Sequence, residues 1–516
     1  MAIGASHRGA GARRLVSETV DYTGSRPGGG APAPGRRGAG QGAGRCRRRP
    51  ERRPAGRPCG AAAPAAPAVP VRPAAPDARR RWPIRFKMHD GRRPRIAARA
   101  PPDAEGERRQ MGALSHIRVL DLSRVLAGPW CAQTLADFGA DVIKIERPGA
   151  GDDTRHWGPP YHRAADGSDT REAAYYLAAN RNKRSVTIDI ATPDGQRLVR
   201  ELAAQSDVVI ENYKAGQLQK YGLDYASLRA IKPALVYCSV TGFGQTGPYA
   251  HRAGYDFIIQ GLGGFMSITG ERDTEPGGGP QKAGVAIADL ATGLYACTAI
   301  LAALAHRDRT GEGQYIDMAL LDVQVALLAN MTTNYLASGQ PPVRWGNAHP
   351  NIVPYQTFEA SDGWIIVAVG NDGQFRKFVE AGGRPELADD TRFATNPARV
   401  RHRPLLVPIL AEMTRGRTRG EWIAALEAAG VPCGPINDLA EVFENEQVIA
   451  RGLQVALPHP SGAPVKLVRN PVQMSATPPE ARSAPPLLGE HTDAVLAELL
   501  GYDAQAIAAL RGKGVV

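Results

Sequence analysis

Cysteine is scarce. The six in 516 residues are Cys46, Cys59, Cys131, Cys238, Cys297 and Cys433, and no two have C-x-x-C spacing. This argues against a disulfide framework and against structural zinc, and no metal site is expected. A reducing compartment is implied, with the cytoplasm expected and a mitochondrial matrix as the alternative. Long apolar runs are equally few. Val285 to Leu304 is the one stretch long enough to span a bilayer, but it stands alone, contains Asp289, Thr292 and Thr298, and has no aromatic belt at both ends. We therefore expect no membrane span. Acidic residues are sparse at one end only: residues 1–110 hold 25 Lys+Arg against 8 Asp+Glu, whereas residues 111–516 hold 38 against 43. The formal net charge of +12 is therefore carried by the first segment. The remainder lacks the basic excess that counterion release requires, so no nucleic-acid partner is expected.

Residues 1–110 are rich in Gly, Pro, Ala and Arg, as in Gly28 to Gly35 and Arg47 to Pro50, with few large apolar side chains. Such a composition cannot bury enough surface to offset chain entropy, and it reads as a disordered, low-complexity extension. Its Pro and Gly content also defeats the amphipathic helix of a transit peptide. Fold reasoning starts at Met111.

Ile117 to Leu122 reads as a buried strand, Pro129 to Phe138 as a helix and Ala140 to Glu146 as a second strand, which makes a βαβ unit. Thr192-Pro193 opens a helix to about Gln205, and Val208 to Glu211 and Ala234 to Val240 are further strands. The economical architecture is α/β: a doubly wound, mostly parallel, Rossmann-like large domain at 112–338. Helical pattern continues to about Ser338, a loop covers Gly346 to Pro354, and Gly363 to Val369 is a strand. Residues 339–440 are expected to form a smaller α/β domain. Residues 441–516 are expected to return to the large domain through a helix at Thr492 to Leu500.

Asp289 is the only acid in the run Val285 to Leu304, so it must be capped, paired or put to use. On composition alone it reads as the cap of a helix starting at Leu290; a nucleophilic aspartate is the sharper reading. A dinucleotide site is rejected by Ser123 to Pro129, which has one glycine where that fingerprint needs three. The literal G-x-G-x-x-G at Gly242, Gly244 and Gly247 is followed by Pro248-Tyr249 and reads as an irregular loop. Lys144, Arg147, Arg181, Lys183 and Arg184 are either a solvated surface or a grip on a phosphate-rich ligand.

Lined up, Val119 to Pro129, Gly139 to Asp152, Asn182 to Ser185, Glu211-Asn-Tyr213, Gly242 to Tyr249 and Asp289 to Gly293 resemble the family III CoA-transferases. The narrower stretches Gly151 to Pro160, Arg344 to His349, Ile352 to Gln356, Gly434 to Asn437 and Gly514 to Val516 resemble the succinyl-CoA:glutarate branch. The resemblance implies an interlocked homodimer, CoA and acyl-CoA as substrates rather than resident cofactors, and Asp289 as the nucleophile. It places Val125, Leu126, Arg147, Asn212, Tyr213, Lys220, Gly254 and Tyr255 at the CoA site. Leu126 and Ala253 stand where formyl-CoA transferases have glutamine and lysine, so the polar contacts of those two side chains do not carry over, while Leu126 keeps its place in the lining. Tyr255 stands where the related acyl-CoA racemases have a catalytic histidine, and a group titrating near ~10 is a poor proton shuttle at neutral pH. Racemase and non-catalytic CoA-binding readings are the alternatives. Oxyanion donors are sought in glycine-rich loops such as Gly346-Asn347. For a dicarboxylate acceptor, Arg155, His156, Arg344 and His349 are candidate readers of the far carboxylate.

Overall fold

The computed structural model describes residues 112–516; the extension expected to be disordered lies outside them. The first strand, β1 (Arg118–Asp121), leads through a short loop into α1 (Ala127–Asp137) and β2 (Asp141–Glu146). A hairpin of β3 (Tyr161–Arg163) and β4 (Asp169–Ala173), the short α2 (Ala174–Ala178), β5 (Lys183–Thr187), α3 (Pro193–Ala204) and β6 (Val208–Glu211) come next. After them lie α4 (Tyr225–Ile231), β7 (Val236–Thr241), α5 (Asp256–Leu262), α6 (Phe265–Ile268) and the long α7 (Ile287–Thr310). The sheet ends with β8 (Tyr315–Ala319), after which come α8 (Leu320–Leu327) and α9 (Ala329–Ser338).

The six-stranded sheet has the order β5-β2-β1-β6-β7-β8 and every pairing is parallel. The chain runs outward from β1 to one edge and then returns to β6 beside β1, so the direction of winding reverses between these two strands. Ligands in open α/β sheets bind at the carboxyl ends of strands at such a reversal. The strands read as continuous apolar runs because both faces are covered. On one face Val119, Val142, Val208 and Val236 pack against Cys131 and Leu135 of α1 and Ala296, Ile300 and Leu304 of α7. On the other, Leu120, Ile143, Val186 and Val209 meet Leu198 and Leu202 of α3 and Val495, Leu496 and Ile507 from the end of the chain. Thr187 N–H donates to Thr492 Oγ1 at 3.0 Å, which ties the helix Thr492–Leu500 to β5.

Thr192 accepts from Gly195 N–H, with Pro193 in the first turn, so α3 starts where its cap chemistry directs. Two strands of the six-stranded sheet escape the sequence pattern, as do the strands outside it other than the one at Gly363–Ala368. The segment read as helical through Ser338 is interrupted by β8, an edge strand that carries the half-polar Tyr315-Ile-Asp-Met-Ala sequence. β5 is hidden in the basic cluster 180–185. A separate three-stranded sheet pairs β9 (Tyr355–Ala360), β10 (Gly363–Ala368) and β11 (Cys433–Pro435) antiparallel. Its own core gathers Phe358, Ile365, Phe375, Phe378, Leu406, Trp422 and Leu426. A two-stranded ribbon joins β12 (Gln454–Leu457) and β13 (Val465–Val468).

One close approach sets where α7 begins relative to α1. A Cβ at Gly293 would sit 2.7 Å from the Ala127 carbonyl and 3.1 Å from Trp130 Cβ. Only glycine lets α7 press this close to the start of α1, and the first turn of α7 is thereby held beside the loop after β1.

Candidate active site

Asp289 is not the cap of its helix. The helix begins two residues earlier, at Ile287, with no side-chain cap of its own, and Asp289 lies inside the first turn. The capping acceptor comes from α5: Asp256 Oδ1 accepts from Ala288 N–H at 2.8 Å and from Asp289 N–H at 3.3 Å. Gln260 holds the other oxygen, its Nε2 donating to Asp256 Oδ2 at 2.6 Å, while its Oε1 accepts from Ala283 N–H. The partial positive charge of the helix start is thus already answered by a carboxylate. Burial, and then the negative charge of Asp256, push the Asp289 carboxyl up from 3.8 to about 7. Burial, and then the charges of Asp289 and Asp256, raise the Tyr175 phenol above its ordinary value.

The loop 123–126 forms the facing wall, where the sheet reverses. Asn212, just past β6, accepts from Arg124 N–H at 2.9 Å and donates to its carbonyl at 2.6 Å, stitching the ends of β1 and β6 together. A cavity of about 200 Å³ opens there, and Asp289 lines it together with Val125, Leu126, Asn212, Tyr213, Gly254 and Tyr255. Six of the eight expected CoA contacts therefore surround the expected nucleophile. Arg147 lies in an adjoining cavity of about 530 Å³ that shares Arg124, Asp153, Tyr213 and Gln217 with the first. Lys220 lines neither; its Nζ sits 4.5 Å above the ring of Tyr221, which borders the second. Gly242 packs on Gly254, where a Cβ would come within 2.5 Å of the Gly254 Cα, and the loop to Gly247 leads into no helix until Asp256. Gly242 serves a close backbone contact, and Gly244 and Gly247 supply positive φ to the loop.

Most of the cations singled out in the sequence are occupied elsewhere. Lys144 and Lys183 are fully buried and paired with Asp152 at 2.8 Å and Asp121 at 3.0 Å. Arg181 binds Asp137, and Arg184 binds Asp141 and Glu498. A phosphate grip by this cluster is replaced by an internal charge network, and only Arg147 of the group stays exposed. Arg155 is also drawn inside, where it meets both Glu146 oxygens at 2.8 Å, Glu172 at 3.0 Å and Tyr176 at 2.6 Å. Neither it nor the other three candidate readers line the Asp289 cavity. His156 Nε2 contacts the Ala150 carbonyl, Arg344 pairs with Asp273, and His349 packs on the Tyr355 ring. Gly346 spends its N–H on the Gly270 carbonyl, so it is no free oxyanion donor.

Sequence reasoning overlooked three residues. Asp256 adjoins Tyr255 but carries no motif of its own, and its target lies 33 positions away. Arg252 lines the cavity 4.5 Å from the Tyr249 ring and has no ion pair among the described residues. Asp152 was visible only as the end of a glycine-rich stretch.

The sequence profile of CoA-transferase family III matches residues 114–492. The chain belongs to this family. Among its relatives, the succinate–glutarate CoA-transferase of Agrobacterium fabrum is 56% identical over 75% of this chain and 95% of that protein. The succinyl-CoA:glutarate CoA-transferase of Homo sapiens is 44% identical over 78% of this chain and 90% of that one. A solved CAIB/BAIF family protein from Brucella suis matches with a TM-score of 0.68 and 54% identity, covering 76% of this chain and all of that one. The chain is therefore a CoA-transferase, and CoA thioesters are its substrates. The α/β fold with its large parallel sheet is the fold of those relatives.

Proposed function

We propose that this CoA-transferase moves CoA from succinyl-CoA to a dicarboxylate such as glutarate, with Asp289 as the covalent nucleophile. The observation that carries the reading is a half-buried carboxyl with a pKa near 7 facing a cavity lined by the residues expected to hold CoA. The Asp289 carboxylate attacks the donor carbonyl, the C–S bond breaks, and CoA thiolate leaves behind a succinyl-aspartyl anhydride. The thiolate then attacks the aspartyl carbonyl and expels succinate, leaving an aspartyl-CoA thioester. The acceptor carboxylate repeats the sequence in reverse. The thioester energy is never given to water, and no net proton is exchanged. A carboxylate whose conjugate acid titrates near 7 is a stronger nucleophile than an ordinary aspartate, and about half of it is charged at neutral pH.

The names of the Agrobacterium and human relatives support the choice of donor and acceptor. Arg252, within the cavity and without an ion pair among the described residues, replaces Arg155 as the cation we assign to the far carboxylate of the acceptor. Tyr255 in place of a histidine favours transfer over racemisation. We also propose a homodimer, interlocked as the resemblance implies, working in the cytoplasm. The exposed apolar side chains Phe257, Ile258 and Leu262 of α5, Leu294 and Tyr295 of α7 and Leu336 of α9 support a second copy covering these faces. Mixing the protein with succinyl-CoA and glutarate should yield glutaryl-CoA. Arg252→Ala should raise KM for glutarate about tenfold or more while leaving that for a monocarboxylate nearly unchanged. Equal effects on both acceptors would remove Arg252 from this role.

A further inference from the structure

Val125, which lines the cavity opposite Asp289, has φ +73°. A β-branched residue in the left-handed region is strained and persists only where its surroundings hold it. The holding groups are identifiable. Asp121 accepts from Ser123 N–H and Oγ–H, Lys144 Nζ donates to the Ser123 carbonyl at 2.8 Å, and Asn212 clasps both backbone groups of Arg124. The last contact is on Val125 itself: its N–H donates to Asp152 Oδ1 at 3.2 Å. Asp152 is in turn rigid. Its Oδ2 accepts from Lys144 at 2.8 Å, its Oδ1 from Thr154 N–H at 3.0 Å and Oγ1–H at 2.8 Å, and its own N–H donates to Glu146 at 2.9 Å. Lys144 and the Thr154 groups hold the carboxylate ionised, with its pKa down at about 2 against the cost of burial.

We infer that Asp152 is a positioning residue for the thioester cleft: through the Val125 N–H it keeps the Val125-Leu126 wall in the strained conformation that faces Asp289. Lys144 orients both Asp152 and the Ser123 carbonyl of the loop, so the pair acts as one clamp. The inference rests on the CoA-transferase reading of this cavity. It adds that a buried ion pair, acting through the backbone of the 123–126 loop, sets the affinity for the acyl-CoA.

Removing one partner of a buried pair alone risks unfolding, so the test removes the ion pair in both of two double variants. Lys144→Met with Asp152→Asn keeps an acceptor for Val125 and Thr154; Lys144→Met with Asp152→Leu does not. With folding checked by circular dichroism, the Leu variant is expected to show a KM for succinyl-CoA about tenfold or more above that of the Asn variant, with a smaller difference in kcat. Adding Val125→Gly, which accepts positive φ without a clamp, should recover most of that difference in KM without restoring melting temperature. Equal KM values in the two variants, or no recovery by glycine, would overturn the positioning role while leaving the CoA-transferase reading intact. A parent protein that transfers no CoA would remove both. Should the Leu variant fail to fold, Lys144→Met with Asp152→Ala, which also lacks the acceptor and adds no bulk, takes its place: the same KM difference from the Asn variant and the same recovery by Val125→Gly are expected, and equal KM values refute the clamp.

Discussion

Replacing Asp256 by asparagine should shift the acidic limb of the pH–rate profile downward. The side chain keeps an oxygen for the N–H groups of Ala288 and Asp289, so the helix start stays capped, but the negative charge facing Asp289 is lost. Asp289 is raised from 3.8 to about 7, first by burial and second by Asp256. Burial remains in the variant, so the expected fall is about one unit, or ~1.4 kcal/mol of differential interaction. The assay is kcat/KM for CoA exchange between pH 5 and 9, which reports ionisation of the free enzyme. At pH 6 a group titrating near 7 is about one-tenth ionised and one titrating near 6 is about half ionised, so activity relative to the plateau should rise about fivefold. Gln260 must turn its amide to suit the new NH2 group, at a cost of about 1 kcal/mol in stability. An acidic limb that stays in place, or moves upward, would refute the claim that the Asp256 charge adds to burial in raising the pKa of Asp289.

Asp289→Asn should lower exchange by about 10³-fold or more, because no covalent intermediate can form. The same variant should be more stable than the parent at pH 8. A folded-state pKa raised above the unfolded value gives stability that is complete below about 4 and lost as pH rises through about 7. The full difference amounts to about 4 kcal/mol, and the open cleft reduces the expected gain to about 2 kcal/mol by thermal melting. No gain at pH 8, or a gain equally large at pH 4, would contradict it. Gly293→Ala should push α7 away from Ala127 and Trp130, costing about 1–3 kcal/mol of stability and lowering kcat more than it raises KM. A Gly293→Ala protein with native kcat would mean that the α1–α7 approach does not position Asp289.

The range of each interaction decided whether the sequence revealed it. Ile117 to Leu122 and Val208 to Glu211 were legible as strands because burial on both faces demands unbroken apolar runs. The start of α3 was legible because Thr192 and Pro193 act on their own backbone. The partners of Lys144 and Lys183 were not: a lysine on β2 or on the edge strand β5 looks like a surface charge until the fold brings Asp152 and Asp121 to it. Arg155 misled for the same reason, its guanidinium being claimed by Glu146 and Glu172. Asp289 was recognisable as an acid out of place, yet whether burial or the helix start governs its charge could not be read locally. Burial governs it, and Asp256, which answers the helix start and adds its own charge, lies on another helix. The edge strand β8 was lost among helices because Asp317 breaks its apolar run.

The most direct test of the account is to locate the acylated residue. The enzyme is incubated with succinyl-CoA, quenched with neutral hydroxylamine, digested and mapped by mass spectrometry, with and without a glutarate chase. The account predicts a hydroxamate at Asp289 that requires succinyl-CoA and disappears when glutarate is added before the quench. An actively transferring enzyme that carries no modification at Asp289, or carries it on another residue, would contradict it.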